Sequence, residues 1–176
     1  MEPASLAQHY GRPTSLLDFT PELPAALYFA ASGALQWLVE ALEKGDEESV
    51  LKMEMDVWEL DAEKAERAGA PIILYKPGAE NWNAQTQDGH LVRLKKFPPY
   101  NGLLDLRPLD EQLASLGAEN AIIRHSSRIT EVYNLFCGLD SCGLTAEAFF
   151  PGPAGEIQHA VDLINKEKCE RLMKLK

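Results

Sequence analysis

In the segment 8–20, apolar residues are interspersed with residues that interrupt regular secondary structure. The interrupting residues limit where a helix can end and where the next can begin. Gly11 can adopt a positive φ and Pro13 has no backbone N–H, so a helix that precedes them should end here. Residues 14–19 then predict a short buried strand, and the two prolines that follow mark the start of the next helix. Polar side chains at such a junction more often face a crevice than a core. We therefore expect these side chains to converge on a solvent-accessible hollow at the mouth of a sheet.

Hydrophobic periodicity along the rest of the chain predicts helices and strands with no regular βαβ alternation and no repeat. Four predicted helices cover 2–10, 23–42, 62–68 and 109–116. A fifth begins at a cap formed by Ser126 or Ser127 and ends at Gly143, and a sixth begins at Pro153. The predicted strands cover 14–19, 50–58, 72–75, 103–106 and 121–123, and 76–102 is predicted to be a long loop. The predicted fold class is α+β, a single mixed domain over 1–176 with a central sheet flanked by helices.

Apolar residues at three- and four-residue spacing predict the buried face of the longer helices. In the first long helix this stripe comprises Leu27, Ala31, Ala34, Leu35, Leu38 and Leu42, and we expect it to pack on the sheet. In the helix before Gly143 the stripe comprises Ile129, Val132, Phe136 and Leu139. In the last helix it comprises Ile157, Ala160, Val161 and Ile164.

The amino-acid composition limits which classes of molecule the protein can bind and in which cellular compartment it can lie. The formal net charge is -10 over 176 residues, which disfavours nucleic acid and anionic membrane surfaces as partners. We expect no membrane span, because no apolar run looks long enough, and the first residues lack a signal-peptide core. Three cysteines without paired spacing indicate a reduced, cytoplasmic protein.

The residues of the first segment also carry a family resemblance. The run Gln8-His9-Tyr10-Gly11-x-Pro13-Thr14-x-Leu16-Leu17-Asp18-Phe19-Thr20, followed by Ala26-Leu27-Tyr28-Phe29-Ala30, resembles the FRG domain. The resemblance continues at Val57-Trp58-Glu59-Leu60-Asp61 and between Cys142 and Gly152. The family's Phe-Arg-Gly motif belongs upstream of Gln8, where this sequence has none, and Ser15 replaces a usual arginine that Arg12 could supply. We therefore expect this sequence to be either a piece of a longer protein or a variant that lacks the family's first strand. In such a variant the sheet edge left open by the missing strand would favour self-association.

The layout of strand, hydroxyl-bearing segment and following helix is similar to that of ADP-ribosyltransferases, which implies NAD as cofactor. Familiar phosphate-loop, metalloprotease, serine-hydrolase and CxxC motifs are absent from the sequence, and the four histidines lack ligand spacing, so we expect no metal. By the resemblance, the catalytic candidates are Glu111 and His9. The cofactor-binding candidates are His9, Tyr10, Arg12, Thr14, Asp18, Thr20, Tyr28 and Arg107.

Each candidate also has a structural interpretation. His9 and Tyr10 could fix a helix end, and Glu111 could belong to a solvated helix face. Asp18, following two leucines in a buried strand, would need partners, and a network with Arg12, Thr14 or Thr20 is the preferred interpretation. For Tyr28 the preferred interpretation is a buried aromatic ring with a satisfied hydroxyl. Two functions therefore stay open: an NAD-dependent ADP-ribosyltransferase-like effector in bacterial or phage conflict, and a non-catalytic module that binds a small ligand or a partner protein.

Overall fold

The structure, a computed structural model, describes residues 17–70, 72–75, 89–94, 108–150 and 152–174, and its elements are numbered within those ranges. The strands are β1 (Leu17–Phe19), β2 (Glu54–Leu60), β3 (Ile72–Tyr75), β4 (His90–Leu94) and β5 (Ile122–Arg128). The helices are α1 (Leu23–Glu43), α2 (Glu47–Lys52), α3 (Ala62–Arg67), α4 (Leu109–Ala114), α5 (Ile129–Ser141), α6 (Ala146–Phe149) and α7 (Pro153–Lys174), with a 3-10 turn at Glu119–Ala121. The predicted α+β class is confirmed.

The chain divides into two compact units that are both discontinuous in sequence. The sheet unit comprises the described residues of Met1–Phe19 and Trp58–Arg124, and the helical unit comprises those of Thr20–Val57 and His125–Lys176. The chain passes from one unit to the other after Phe19, within β2 and within β5. Strands β2 and β5 form a two-stranded sheet. The assignment of 1–176 to a single domain stays a prediction.

The sheet unit contains a three-stranded antiparallel sheet in the order β1-β4-β3. In this register Asp18 lies opposite Leu91 and Phe19 lies opposite His90. Its core consists of Ala65, Ala70, Leu94, Leu109, Leu113, Ala118 and Ala121, with Phe19, Leu60, Ile72 and Ile122 packed against it. Instead of one central sheet, the described residues therefore form two small ones.

The prediction of a buried first strand is wrong for its described part. Leu17 and Asp18 of β1 are exposed, and only Phe19 is half-buried. Among the described strands β1 pairs only with β4, so it lies at an edge of the sheet, where fewer neighbours cover its side chains. The predicted loop 76–102 contains β4, while the predicted helix 2–10 and strand 103–106 lie outside the described residues.

The helical unit is built on α1, which packs against α5 and α7. The predicted stripe of α1 is confirmed, since Ala31, Leu35 and Leu38 are buried and the other three members are partly buried. The expectation that this stripe packs on a sheet is wrong, because its partners are helices. The stripe of α5 is confirmed at Val132, Phe136 and Leu139, which are buried in the same core; the side chain of Ile129 lies outside the described set.

The apolarity of α1 corrects one expectation from the sequence. By length and composition alone, Leu23–Glu43 is apolar enough to cross a membrane, with a mean hydropathy of 1.3 over its best window. Core helices of globular proteins meet the same criteria, and α1 buries residues on several sides against α5 and α7. Of that window, 39% is buried, so packing in the core of the helical unit accounts for part of the apolar sequence of α1.

The last helix, α7, presents the opposite face from the one predicted. Ile157 and Ile164 are 66% and 55% exposed, Ala160 and Val161 are also exposed, and the buried positions are Gly155, Asp162 and Cys169. An added Cβ at Gly155 would lie 2.3 Å from the Phe150 carbonyl oxygen, so only glycine fits where α7 begins against α6. Small and polar residues therefore face the core, and the apolar stripe faces outward.

The predicted serine cap between β5 and α5 is also wrong. Strand β5 continues to Arg128, which is the N-cap residue of α5 and makes no side-chain capping hydrogen bond. Ser126 instead donates its hydroxyl proton to Asp56 Oδ1 on β2, at 2.7 Å. A serine close to a helix start favours a cap in the sequence, but the partner of this serine lies on the neighbouring strand.

Candidate functional site

The structure describes only part of the predicted site. His9, Tyr10, Arg12, Thr14 and Arg107 lie outside the described residues, so their roles stay predictions. The described members are Asp18 and Glu111 in the sheet unit, and Thr20 and Tyr28 in the helical unit.

Asp18 and Glu111 are carried by two elements of the sheet unit that contribute side chains to the same hydrophobic cluster. Phe19, the neighbour of Asp18, packs against the cluster that contains Leu109 and Leu113 of α4. These two leucines lie one turn apart and are buried, which directs Glu111, between them in sequence, outward into solvent. One hydrophobic cluster thus anchors both backbones while both carboxylates are accessible.

The exposure of Asp18 removes one premise of the sequence argument. A carboxylate that keeps its contact with water pays little desolvation cost, so burial does not by itself require a cation beside Asp18. The proposed network with Arg12, Thr14 or Thr20 stays a prediction, since the first two lie outside the described residues.

Thr20 has a structural contact at the start of α1. Its Oγ1 accepts a hydrogen bond from the backbone N–H of Glu22, at 3.0 Å. Glu22 is the N-cap residue of α1 and makes no side-chain cap of its own, and a proline follows in the first turn. The threonine therefore helps to fix the entry of the chain into α1.

Tyr28 lies at the centre of a buried polar cluster in the helical unit. It is 1% exposed, and its hydroxyl donates to Asp162 Oδ2 at 2.5 Å. Asp162 Oδ1 accepts from Ser32 Oγ at 2.8 Å and from Gln158 Nε2 at 3.0 Å. Three neutral donors thus hold a carboxylate that is only 5% exposed. Burial, and then the hydrogen bond to Asp162, raises the pKa of Tyr28 well above its usual value.

The Tyr28 ring is packed as firmly as its hydroxyl is bonded. Its centroid lies 5.0 Å from that of Phe149 in a stacked arrangement and 5.4 Å from that of Phe29, edge to face. This is the environment that the structural interpretation of Tyr28 describes. A cofactor-binding role for Tyr28 stays a prediction, and in this arrangement the ring has almost no surface to offer a ligand.

A second polar cluster links α5 to α7. The Tyr133 hydroxyl donates to Glu170 Oε1 at 2.6 Å, and Lys166 Nζ lies 2.8 Å from Asp140 Oδ2. The hydrogen bond to Asp140 raises the pKa of Lys166, and burial raises the pKa of Tyr133. These pairs hold the two helices in register.

A recess of about 190 Å³, part of it open solvent, lies between the two clusters and is lined by Asp140, His159 and Asp162 among others. Both of its carboxylates already accept hydrogen bonds from neighbouring side chains. Within the described parts of the chain, no group of three His, Cys, Asp or Glu side chains could hold a metal ion. We regard this part of the helical unit as structural.

The roles of Asp162 and Ser32 were not predicted from the sequence. The sequence nevertheless contains a pattern that identifies the buried face of α7. Gly155, Asp162 and Cys169 repeat every seven residues, which places them on one side of a helix. Small side chains at two of those positions indicate close packing.

The comparison with known families concerns the segment that contains β1 and most of α1. Residues 2–37 match the FRG domain family. The resemblance predicted from the sequence is therefore confirmed for that segment. No curated protein and no solved structure matches the chain. Within the FRG match, Phe19 contributes to the core of the sheet unit, and Tyr28 and Ser32 hold Asp162 in the helical unit.

Proposed function

We propose that this FRG-domain chain is an NAD-dependent ADP-ribosyltransferase-like enzyme whose site lies in the sheet unit. The observation that carries the proposal is that β1, from the FRG segment, and α4 are anchored on one hydrophobic cluster with Asp18 and Glu111 both accessible. The similarity of layout to ADP-ribosyltransferases supplies the reaction class.

The chemistry assigns a task to four of the candidate side chains. NAD would supply the ADP-ribosyl group, with nicotinamide as the leaving group. Glu111 would stabilise the positive charge that develops on the ribose. Arg12 and Arg107 would bind the pyrophosphate, because a guanidinium matches phosphate oxygens bidentately. His9 would serve beside Glu111 as the second catalytic group, and no metal is required.

One observation favours a second candidate, a non-catalytic module that binds a small ligand or a partner protein. Glu111 is exposed, and electrostatic stabilisation of a transition state is worth most where water is excluded. An accessible carboxylate on a rigidly anchored helix is equally suited to recognition. The same residues would then bind without turnover.

Cysteine content and net charge bear on the compartment in which such an enzyme would act and on the class of its target. An effector in bacterial or phage conflict would act in the cytoplasm, which the three free cysteines favour. A net charge of -10 favours a protein target over a nucleic acid.

A nicotinamide-release assay combined with an NAD-dependent thermal shift tests both candidates. Glu111→Gln is the test variant, and Glu119→Gln is its matched control, because Glu119 is exposed on the 3-10 turn beside α4. We expect wild type and control to release nicotinamide, and Glu111→Gln to lose about 100-fold or more in rate while NAD still raises its melting temperature. A thermal shift without release in wild type would support the binding module instead. If wild type shows no thermal shift with NAD and releases no nicotinamide, NAD is refuted as the ligand.

A further inference from the structure

The segment 57–61, which carries part of the FRG resemblance, contains one large apolar side chain that the two cores leave exposed. Val57 packs against the core of the helical unit, and Leu60 packs against the core of the sheet unit. The Asp61 carboxylate accepts a backbone hydrogen bond at 2.8 Å as the N-cap of α3. Trp58, in contrast, is 37% exposed, whereas tryptophan side chains are on average highly buried.

Three contacts define how the chain pairs around Trp58. The contacting pairs are Asp61 with Ala121, Trp58 with Arg124, and Asp56 with Ser126. Between one pair and the next, the β5 side of the sheet advances by as many residues as the β2 side recedes, which is the register of antiparallel strands. Side chains paired in this way lie on the same face of the sheet.

The face that carries Trp58 and Arg124 continues the hydrophobic cluster of the sheet unit. Leu60 and Ile122 lie two residues away on their strands, and therefore on the same face, and both pack against that cluster. Arg124 is exposed, and its guanidinium carbon lies over the Trp58 ring, 5.9 Å from the ring centroid. The rim of the cluster thus presents an aromatic ring and a cation side by side to solvent.

We propose that Trp58 and Arg124 bind a nucleotide, with its base stacked on the exposed indole and its phosphate held by the guanidinium. Every base has a π-face, so a base stacks favourably on an aromatic side chain. A guanidinium can lie over an aromatic ring and still direct its N–H donors, which are in its own plane, to phosphate oxygens. One pair of side chains therefore matches both parts of a nucleotide.

The charge of the chain limits the ligand to a single nucleotide. A net charge of -10 repels a polynucleotide, whose binding depends on many cationic contacts. One nucleotide brings few negative charges, and the guanidinium lies where its phosphate would be. Binding of a nucleotide requires no turnover, so it goes beyond the proposed transferase reaction and is equally compatible with a binding module.

Isothermal titration calorimetry with ADP as the probe tests the proposal. Wild type should bind ADP, and Trp58→Leu should weaken binding about tenfold or more, because the stacking surface is lost. Arg124→Gln should weaken binding about tenfold and reduce its dependence on salt. Arg128→Gln is the matched control, since it removes the same charge from the exposed end of β5, and it should bind as wild type. No binding by wild type at millimolar ADP, or unchanged affinity in Trp58→Leu, would overturn the proposal.

Two further measurements separate base stacking from a purely structural role of the pair. Trp58→Phe keeps an aromatic ring and should retain most of the affinity for ADP, while equal losses in Trp58→Phe and Trp58→Leu would contradict stacking. Inorganic phosphate should displace ADP only at a much higher concentration, because it has no base. Displacement by equimolar phosphate would reduce the site to an anion contact and overturn the assignment. ADP contains no nicotinamide, so these results are independent of the nicotinamide-release assay.

Discussion

Replacing Tyr28 by phenylalanine removes one hydroxyl from the core of the helical unit and keeps the ring. The hydroxyl donates at 2.5 Å to a carboxylate that is 5% exposed, and the stacking on Phe149 does not depend on it. Hydrogen bonds to charged groups contribute about 1.5–3 kcal/mol to stability. We expect Tyr28→Phe to lower the free energy of unfolding by about 2 kcal/mol. For a chain of this size that corresponds to a fall of about 4–8 °C in the melting temperature.

A double-mutant cycle with Asp162→Asn identifies the bond that is responsible. The fluorescence of Trp37, half-buried on α1, reports unfolding of the helical unit. If Tyr28 and Asp162 act through one hydrogen bond, the double variant should lose at least about 1 kcal/mol less than the sum of the single losses. A Tyr28→Phe loss below about 0.5 kcal/mol would refute the structural role of the hydroxyl. Loss of NAD binding without loss of stability would instead support the predicted cofactor-binding role.

The same substitution should change how stability responds to alkaline pH. Burial and the bond to Asp162 raise the pKa of Tyr28 above 10.0, its ordinary value, so the unfolded chain releases this proton at a lower pH than the folded one. The contribution of Tyr28 is therefore complete below about pH 10 and is lost as the pH rises above it. Tyr28→Phe should make the decline above that pH shallower. An unchanged slope would contradict the assignment.

Two further predictions concern packing and thiol reactivity. Gly155→Ala should destabilise by about 1–3 kcal/mol in denaturant unfolding, because its Cβ would lie 2.3 Å from the Phe150 carbonyl oxygen. Gly33→Ala, inside α1 with open space around it, should instead stabilise by about 0.5–1 kcal/mol, and equal effects would contradict the packing argument. A thiol reagent should label the exposed Cys142 in the native protein, but Cys169 only after unfolding. Cys169 is buried, and burial raises the pKa of its thiol to about 11. Fast labelling of Cys169 in the native protein would contradict this expectation.

Element boundaries were predictable wherever glycine or proline determines the backbone. Gly69, at φ 87°, follows α3 where the sequence predicted the helix to end, and Gly143, at φ 74°, does the same after α5. Pro153 opens α7 as expected. These residues act through their own backbone geometry, which needs no knowledge of distant parts of the chain.

Packing partners were not predictable in the same way. The apolar stripe of α1 was recognised correctly, but a stripe is equally compatible with a sheet or with other helices, and α5 and α7 supply the partners. Strand β4 was missed because its five residues lie within a long segment rich in turn signals. For α7, periodicity identified an apolar face and the usual rule placed that face inward.

The two aspartates show why the candidate site was harder to predict than the fold. A buried carboxylate must find donors, but Asp18, although it follows two leucines, lies on an exposed edge strand of the described sheet. Asp162 is buried and does find donors, of which Tyr28 and Ser32 come from 134 and 130 residues away. Local sequence shows which side chains need a partner if they are buried, whereas burial depends on which elements meet. The FRG segment therefore has a structural task in each unit, through Phe19 and Tyr28, and any ligand must be bound by the polar groups that those tasks leave accessible.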